Sequence, residues 1–185
     1  TGGQAMEQLI KEGMINGVLD LATIEVVQEL LGGYLAATSE RMTVAARMGI
    51  PQIICPGAVS VNTYGPPETI PDKFKDRAMV CHSPLFTNVR VNAEEMKKLA
   101  KEQAGRVGKG KELVEWFVPM EGFCSYSIKG QPLYDSRSDK AYLESLKKEL
   151  NKDIPIHVRE TDINDPAFAT EIAEHLIKLM NKKYN

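Results

Sequence analysis

The chain has 185 residues, with 23 Lys and Arg against 25 Asp and Glu, so its formal charge at pH 7 is −2. A chain this close to neutral lacks the positive field that proteins binding the phosphates of nucleic acids normally carry. Apolar residues make up 43% and charged residues 26%, which is ordinary globular usage. No apolar run approaches the roughly 18 to 20 residues needed to cross a bilayer. The composition argues against nucleic-acid-binding and membrane-spanning proteins and predicts a soluble, folded domain.

The cysteines indicate the cellular compartment, and the first residue bears on whether the chain is a piece of a longer protein. Cys55, Cys81 and Cys124 are an odd number of cysteines with no CxxC pair, so they predict neither a disulfide framework nor a zinc ribbon. Their use favours a reducing, cytoplasmic compartment. Because the first residue is Thr1 rather than Met, we expect the numbered chain to be a piece of a longer protein.

Apolar periodicity and turn residues predict helices and strands that alternate along the chain. Helices are predicted over 4–12, 23–31 with Thr23 as the cap, 39–48, 92–107, 142–150 and 165–179. Strands are predicted over 17–22, 50–55, 78–82, 113–119 and 154–160. The segment 58–77 is rich in Pro, Gly and Asn and is expected to be a long irregular loop, which is often functional. The basic stretch 97–111 is expected to end its helix in solvent.

This alternation defines a fold class. Parallel strands need crossover connections, and helices of this length supply them. The sequence therefore predicts a single α/β domain over residues 1–185, with a doubly wound, mostly parallel, Rossmann-like sheet that carries helices on both faces.

Candidate site residues follow from the fold class, because open α/β sheets bind ligands beyond the carboxyl ends of their strands. The polar residues expected at this edge are Asp20, Asn62 and Glu68 of the long loop, His82-Ser83, 121–125 and 161–164. The glycine turn Thr1-Gly2-Gly3 is a second candidate, because glycines at a helix start let a ligand approach the free N–H groups. A simple tight turn is the alternative interpretation of those glycines.

Glu68 and His82 are the candidates for proton transfer, His82 having a structural strand-end histidine as its alternative. Cys81 and His82 are adjacent on a strand and point to opposite faces, so we do not expect them to form a nucleophile pair. His157 and His175 are interpreted as structural or surface residues. The three histidines show no close carboxylate spacing, so the sequence predicts no metal site.

Several strings of residues together resemble one known family. They are Thr1 to Glu7, Gly17 to Leu21, Gly49 to Gln52, Pro56 to Ala58, Asn62, Gly65-Pro66-Pro67-Glu68-Thr69 and Asn164-Asp165-Pro166-Ala167-Phe168. The chain resembles, over essentially its whole length, the uncharacterised protein family that includes the N-terminal, ATP-binding region of the tomato mosaic virus resistance protein.

The resemblance implies two Rossmann-like subdomains, of which this chain is similar to the second, C-terminal one. It implies a ligand or nucleotide site, with ATP as the possible cofactor, in the cleft between the two subdomains. The residues that it assigns to this site are Thr1, Gly2, Gly3, Glu25, Asn62, Gly65 and Glu68. It also leads us to expect a serine in relatives where this chain has Cys124.

Three hypotheses for function remain open. The first is a small-molecule or nucleotide-binding domain whose site is completed by an N-terminal subdomain. The second is an enzyme domain acting on a phosphorylated or carboxylated metabolite, with Glu68 or His82 transferring protons. The third is a protein-interaction or regulatory module. Homo-oligomerisation is open under all three.

Overall fold

The computed structural model describes residues 1–108 and 113–185, so the last residues of the basic stretch 97–111 lie outside the described part. The helices in the described residues are α1 Gly2–Lys11, α2 Ile24–Leu31, α3 Val44–Arg47, α4 Ala93–Val107, α5 Ser136–Glu149 and α6 Pro166–Tyr184. The strands are β1 Val18–Ala22, β2 Gln52–Gly57, β3 Val61–Tyr64, β4 Met79–Ser83, β5 Phe86–Arg90, β6 Val114–Pro119 and β7 Ile156–Arg159.

The main sheet is parallel, with strand order β1-β2-β6-β7. Successive residues of a strand point to opposite faces, and Ile53 and Ile54 of β2 accordingly enter two different apolar clusters. One cluster packs α2, α4 and α5 against the sheet, and the other packs α6 against the opposite face. The predicted class is confirmed: this is an α/β fold with a parallel sheet, helices on both faces and a Rossmann-like arrangement.

A second sheet was not predicted. β3, β5 and β4 form a three-stranded antiparallel sheet, so the prediction that 58–77 is irregular was wrong for Val61–Tyr64. Asn62 and Thr63 look like loop residues in the sequence, yet both are buried, and the Thr63 hydroxyl donates to Asn88 Oδ1 at 2.8 Å. The rest of the segment includes two 3-10 turns, Pro67–Thr69 and Asp72–Phe74.

Helix starts agree with the sequence in part. The capping box of Asn92 with Glu95 and the Asp165 cap before Pro166 are confirmed. Thr23 precedes α2 but makes no capping bond; its hydroxyl donates to the Cys55 carbonyl at 3.3 Å and accepts from Gln103 Nε2 at 2.9 Å. The helix predicted over 39–48 is only the short α3, because turns occupy the residues before it and Met42 has a φ of 73°.

Two further features concern membrane-spanning helices and disulfide bonds. Among residues 1–108 and 113–185, no helix is both long enough and apolar enough to cross a bilayer. All three cysteines are free thiols, with Cys55 buried and Cys81 exposed.

Candidate functional site

A cleft of about 610 Å³ lies where the start of α1, the carboxyl end of β1 and the start of α2 meet. We call it the α1 cleft. Asp20, Glu25 and Arg41 provide its charged groups. The remaining lining is backbone and apolar side chains, from Thr1, Gly2, Gly3, Met6, Leu19, Leu21, Ala22, Ile24 and Leu35. The fold thus brings together five of the residues that the sequence proposed, which are Thr1, Gly2, Gly3, Asp20 and Glu25.

Arg41 holds the floor of this cleft together through the Arg41 network, which comprises Asp20, Glu25 and Arg41. Its Nη1 and Nη2 donate to the two carboxylate oxygens of Asp20, each at 2.6 Å, and its Nε donates to Glu25 Oε2 at 2.8 Å. Burial favours the neutral form of Arg41, but the two carboxylates outweigh that effect and raise its pKa above the ordinary value. The guanidinium therefore stays charged, and the pairing is both bidentate and charge-assisted.

The start of α1 is closed by the protein's own groups. Gly3 N–H donates to Glu25 Oε1 at 3.0 Å, and the Thr1 hydroxyl accepts from the Gln4 N–H at 3.3 Å in a capping box. Burial alone would raise the pKa of Glu25, but Arg41, Thr1 and the Gly3 N–H together lower it. A carboxylate thus already lies where a ligand anion would meet this helix end.

Gly2 and Gly3 differ in what surrounds them. A Cβ on Gly3 would lie 2.2 Å from Arg41 Nε and 2.8 Å from Glu25 Oε1, whereas a Cβ on Gly2 would meet nothing within 4 Å. Only Gly3 is therefore required by the packing of the Arg41 network. At Gly3 the backbone comes close to the ion pair of Arg41 and Glu25. A sequence motif alone does not reveal that proximity.

The other residues proposed for ligand binding lie apart from this cleft. Asn62 is buried on β3, where its Nδ2 donates to the Tyr64 hydroxyl at 2.6 Å. Gly65 and the exposed Glu68 lie just beyond, at the first 3-10 turn. Among the described residues that line the α1 cleft, Asn62, Gly65 and Glu68 do not occur. The geometry therefore groups the proposed residues into two separate places.

His82 lies exposed on β4 of the antiparallel sheet, not at the end of a parallel strand. Its Nδ1 is 2.9 Å from the Tyr126 hydroxyl, which comes from the loop after β6. Cys81 Sγ donates instead to the Ser83 carbonyl at 3.1 Å, in agreement with the expectation that Cys81 and His82 do not pair. His82 and Glu68 are thus both accessible, and the structure places neither in the α1 cleft.

The two remaining histidines meet around one carboxylate, which the sequence did not predict. We call Glu115, His157 and His175 the Glu115 cluster. Glu115 Oε2 lies 2.9 Å from His157 Nε2 and 2.8 Å from His175 Nδ1. Glu115 and His157 lie near the amino ends of β6 and β7, and His175 belongs to α6. Glu115 is 42 and 60 residues from its partners, so no local spacing could reveal the cluster.

The fold and the α1 cleft define a Rossmann-like α/β domain with a ligand-sized cleft at the carboxyl end of its first strand. Residues 1–180 match the family described as "Uncharacterised protein family (UPF0261) C-terminal domain", and the chain belongs to that family.

Relatives from bacteria and a plant resemble the chain over nearly its whole length. It is 38% identical to a UPF0261 protein of Clostridium tetani, covering 98% of this chain and 45% of that protein. It is 31% identical to a UPF0261 protein of Mesorhizobium japonicum, covering 95% of this chain and 45% of that protein. It is 30% identical to the ToMV resistance protein Tm-1(GCR237) of Solanum lycopersicum, covering 98% of this chain and 24% of that protein. The chain thus spans less than half the length of these relatives.

Proposed function

We propose that this domain binds a small organic molecule in the α1 cleft and that a region outside these 185 residues completes the site. The observation that carries the proposal is the convergence of a helix start, a strand end and the Arg41 network on one cleft of about 610 Å³. That volume is within the range of small-molecule sites, which combine apolar walls with a few fixed polar groups.

The apolar lining supports a site that is shared with another region. Leu21 and Leu35 line the cleft and are 38% and 46% exposed, and Tyr34, next to Leu35, is 68% exposed. Neighbouring exposed apolar side chains of this size mark surfaces that another surface or a ligand covers. The relatives are more than twice as long as this chain, which is consistent with such a region in the whole protein.

ATP is the first ligand to test, on the ground of the family resemblance. Because Glu25 already accepts the Gly3 N–H, a phosphate at this helix end would have to displace that carboxylate. A ligand whose phosphates bind there should therefore bind more tightly to Glu25→Gln, which removes the competing charge. A ligand with a hydroxyl group that donates to the Glu25 carboxylate, such as a ribose, should bind more weakly to the same variant.

The test is calorimetry with ATP, ADP and inorganic phosphate on this chain and on a longer protein that includes the N-terminal region. Gly3→Ala and Gly2→Ala form a matched pair, because only the first methyl collides with the Arg41 network. We expect Gly3→Ala to weaken binding at least about tenfold, since small displacements in a positioned site are costly, and Gly2→Ala to change it much less.

Each result decides a different part of the proposal. Absence of binding by the folded longer protein for all three compounds would remove nucleotides and phosphate as ligands. Binding that both glycine variants retain would place the ligand elsewhere in the domain. Circular dichroism of each variant separates lost binding from lost folding.

A further inference from the structure

The Glu115 cluster lies away from the α1 cleft and plays no part in the proposed ligand site. Its three donor atoms, one from each side chain, lie within 4.8 Å of one another. A zinc ion holds imidazole nitrogens and carboxylate oxygens at about 2.0 to 2.2 Å, so neighbouring ligand atoms around a tetrahedral ion are about 3.3 Å apart. The two distances from Glu115 Oε2, 2.9 and 2.8 Å, need only a small expansion to meet that geometry.

The cluster is also held in place by its surroundings. The fully buried Phe117 stacks on the His157 ring at 4.3 Å between centroids and meets the His175 ring edge-to-face at 4.9 Å. The donors come from two adjacent strands and the helix packed on them, so regular elements and not loops fix their positions. Such preorganisation is what a metal site requires of its ligands.

Solvent can reach the cluster. The side chains of Glu115, His157 and His175 are 16%, 26% and 24% exposed. Glu115 also lines a cleft of about 600 Å³. A cation can therefore enter, and water can supply the remaining coordination positions, as in zinc sites with three protein ligands.

The surrounding charges leave the three donors available. Arg159 of β7 forms an ion pair with Glu171 of α6, so those two charges compensate each other. Lys178 and Lys182 of α6 and Asp153, which precedes β7, line the neighbouring cleft. The lysines have long flexible stems and keep their ammonium groups in water, so they need not approach a bound ion.

From this geometry we infer that Glu115, His157 and His175 form a binding site for one divalent transition-metal ion, with zinc as the best-fitting ion. Two imidazoles and one carboxylate suit zinc, cobalt and nickel better than magnesium or calcium, which prefer oxygen ligands. Imidazole coordinates a metal only when it is unprotonated, so binding weakens as the pH falls.

The test is a calorimetric titration of the metal-free chain with zinc chloride at pH 7.5 and at pH 5.5. We expect one ion per chain at micromolar or tighter affinity at pH 7.5, and binding at least about tenfold weaker at pH 5.5. Zinc should also raise the melting temperature of the wild-type chain, because it binds the folded state. If the folded wild type shows neither saturable binding nor a shift in melting temperature at pH 7.5, the inference is wrong.

Substitutions assign the ligands. Zinc binding should weaken at least about 100-fold in each of Glu115→Gln, His157→Gln and His175→Gln. Loss of a residue that only hydrogen-bonds to a metal ligand usually costs less than that. His82→Gln is the matched control, because His82 is the third histidine of the chain and lies outside the cluster. If His82→Gln abolishes binding, or if the three cluster variants bind zinc as the wild type does, the ion is held elsewhere and the assignment fails.

Discussion

The Arg41 network lies at β1, one edge of the main sheet, and the Glu115 cluster lies at β6 and β7, toward the other edge. The two groups differ in how their charges are paired. Arg41 and Asp20 are 1% and 3% exposed, and the guanidinium matches its donors to both carboxylates. His157 and His175 are 26% and 24% exposed and share a single oxygen of Glu115. The first group is buried and saturated, whereas the second is open to solvent and has coordination capacity left over.

The difference shows which kind of polar cluster holds a fold together and which kind is available to a ligand. A guanidinium is charged at every accessible pH, so the Arg41 network is a permanent part of the structure. The donors of the Glu115 cluster are partly exposed and share one carboxylate oxygen, so they are accessible to a ligand from solvent. We therefore expect the Arg41 network to shape the α1 cleft and the Glu115 cluster to bind directly.

The largest expected effect is that of Arg41→Met, which removes the cation between two carboxylates. Asp20 and Glu25 would then be left close together without compensation, and breaking a buried ion pair in this way costs about 3 to 5 kcal/mol of unfolding free energy. Chemical denaturation at pH 7 measures this loss of unfolding free energy. Arg47→Met is the matched control, because Arg47 is exposed and should cost less than about 0.5 kcal/mol. Equal losses for the two variants would contradict the structural role of the network.

A smaller effect is expected for Glu25→Gln, which keeps the shape of the side chain but removes its charge. The loss should be about 1.5 to 3 kcal/mol of unfolding free energy at pH 7, as for a hydrogen bond to a charged group. The folded state lowers the pKa of Glu25. The ionised carboxylate therefore stabilises the fold at any pH above the pKa that Glu25 has in the unfolded chain. This contribution disappears as the pH falls through the lowered pKa of the folded state. The difference between wild type and variant should therefore shrink between pH 7 and about pH 3.

Glu68→Gln is the control for that pH series. Glu68 is exposed in a 3-10 turn, so its variant should follow the wild type at every pH. A Glu25→Gln difference that stays constant or grows as the pH falls would show that the carboxylate does not stabilise the fold through its charge.

The sequence predicted the parts of the fold that local patterns determine. Apolar runs located the four parallel strands, and the Asn92 and Asp165 caps located two helix starts. β3 escaped prediction because Asn62 and Thr63 are polar, and their burial depends on partners such as Asn88 that lie 25 residues away from Thr63. Pairing of that kind is a property of the tertiary structure and leaves no local signal.

The sites show the same limit. The glycines at a helix start predicted the glycine turn, and the family resemblance added Glu25. Arg41 was missed because it lies in a segment predicted to be an ordinary helix. The sequence indicates only a structural or surface role for His157, because the register of β6 and β7 is what places it beside Glu115. A sequence alone does not state that register, so it could not predict the cluster.

The smallest expected effect is that of Glu115→Gln on the stability of the metal-free protein. The glutamine oxygen can still accept from the two imidazoles, and all three side chains are partly in water, where such pairs contribute little. We expect a loss below about 1 kcal/mol by chemical denaturation at pH 7.5 with a chelator present. If the loss instead approached that of Arg41→Met, the cluster would be a second structural network, and the contrast between the Arg41 network and the Glu115 cluster would fail.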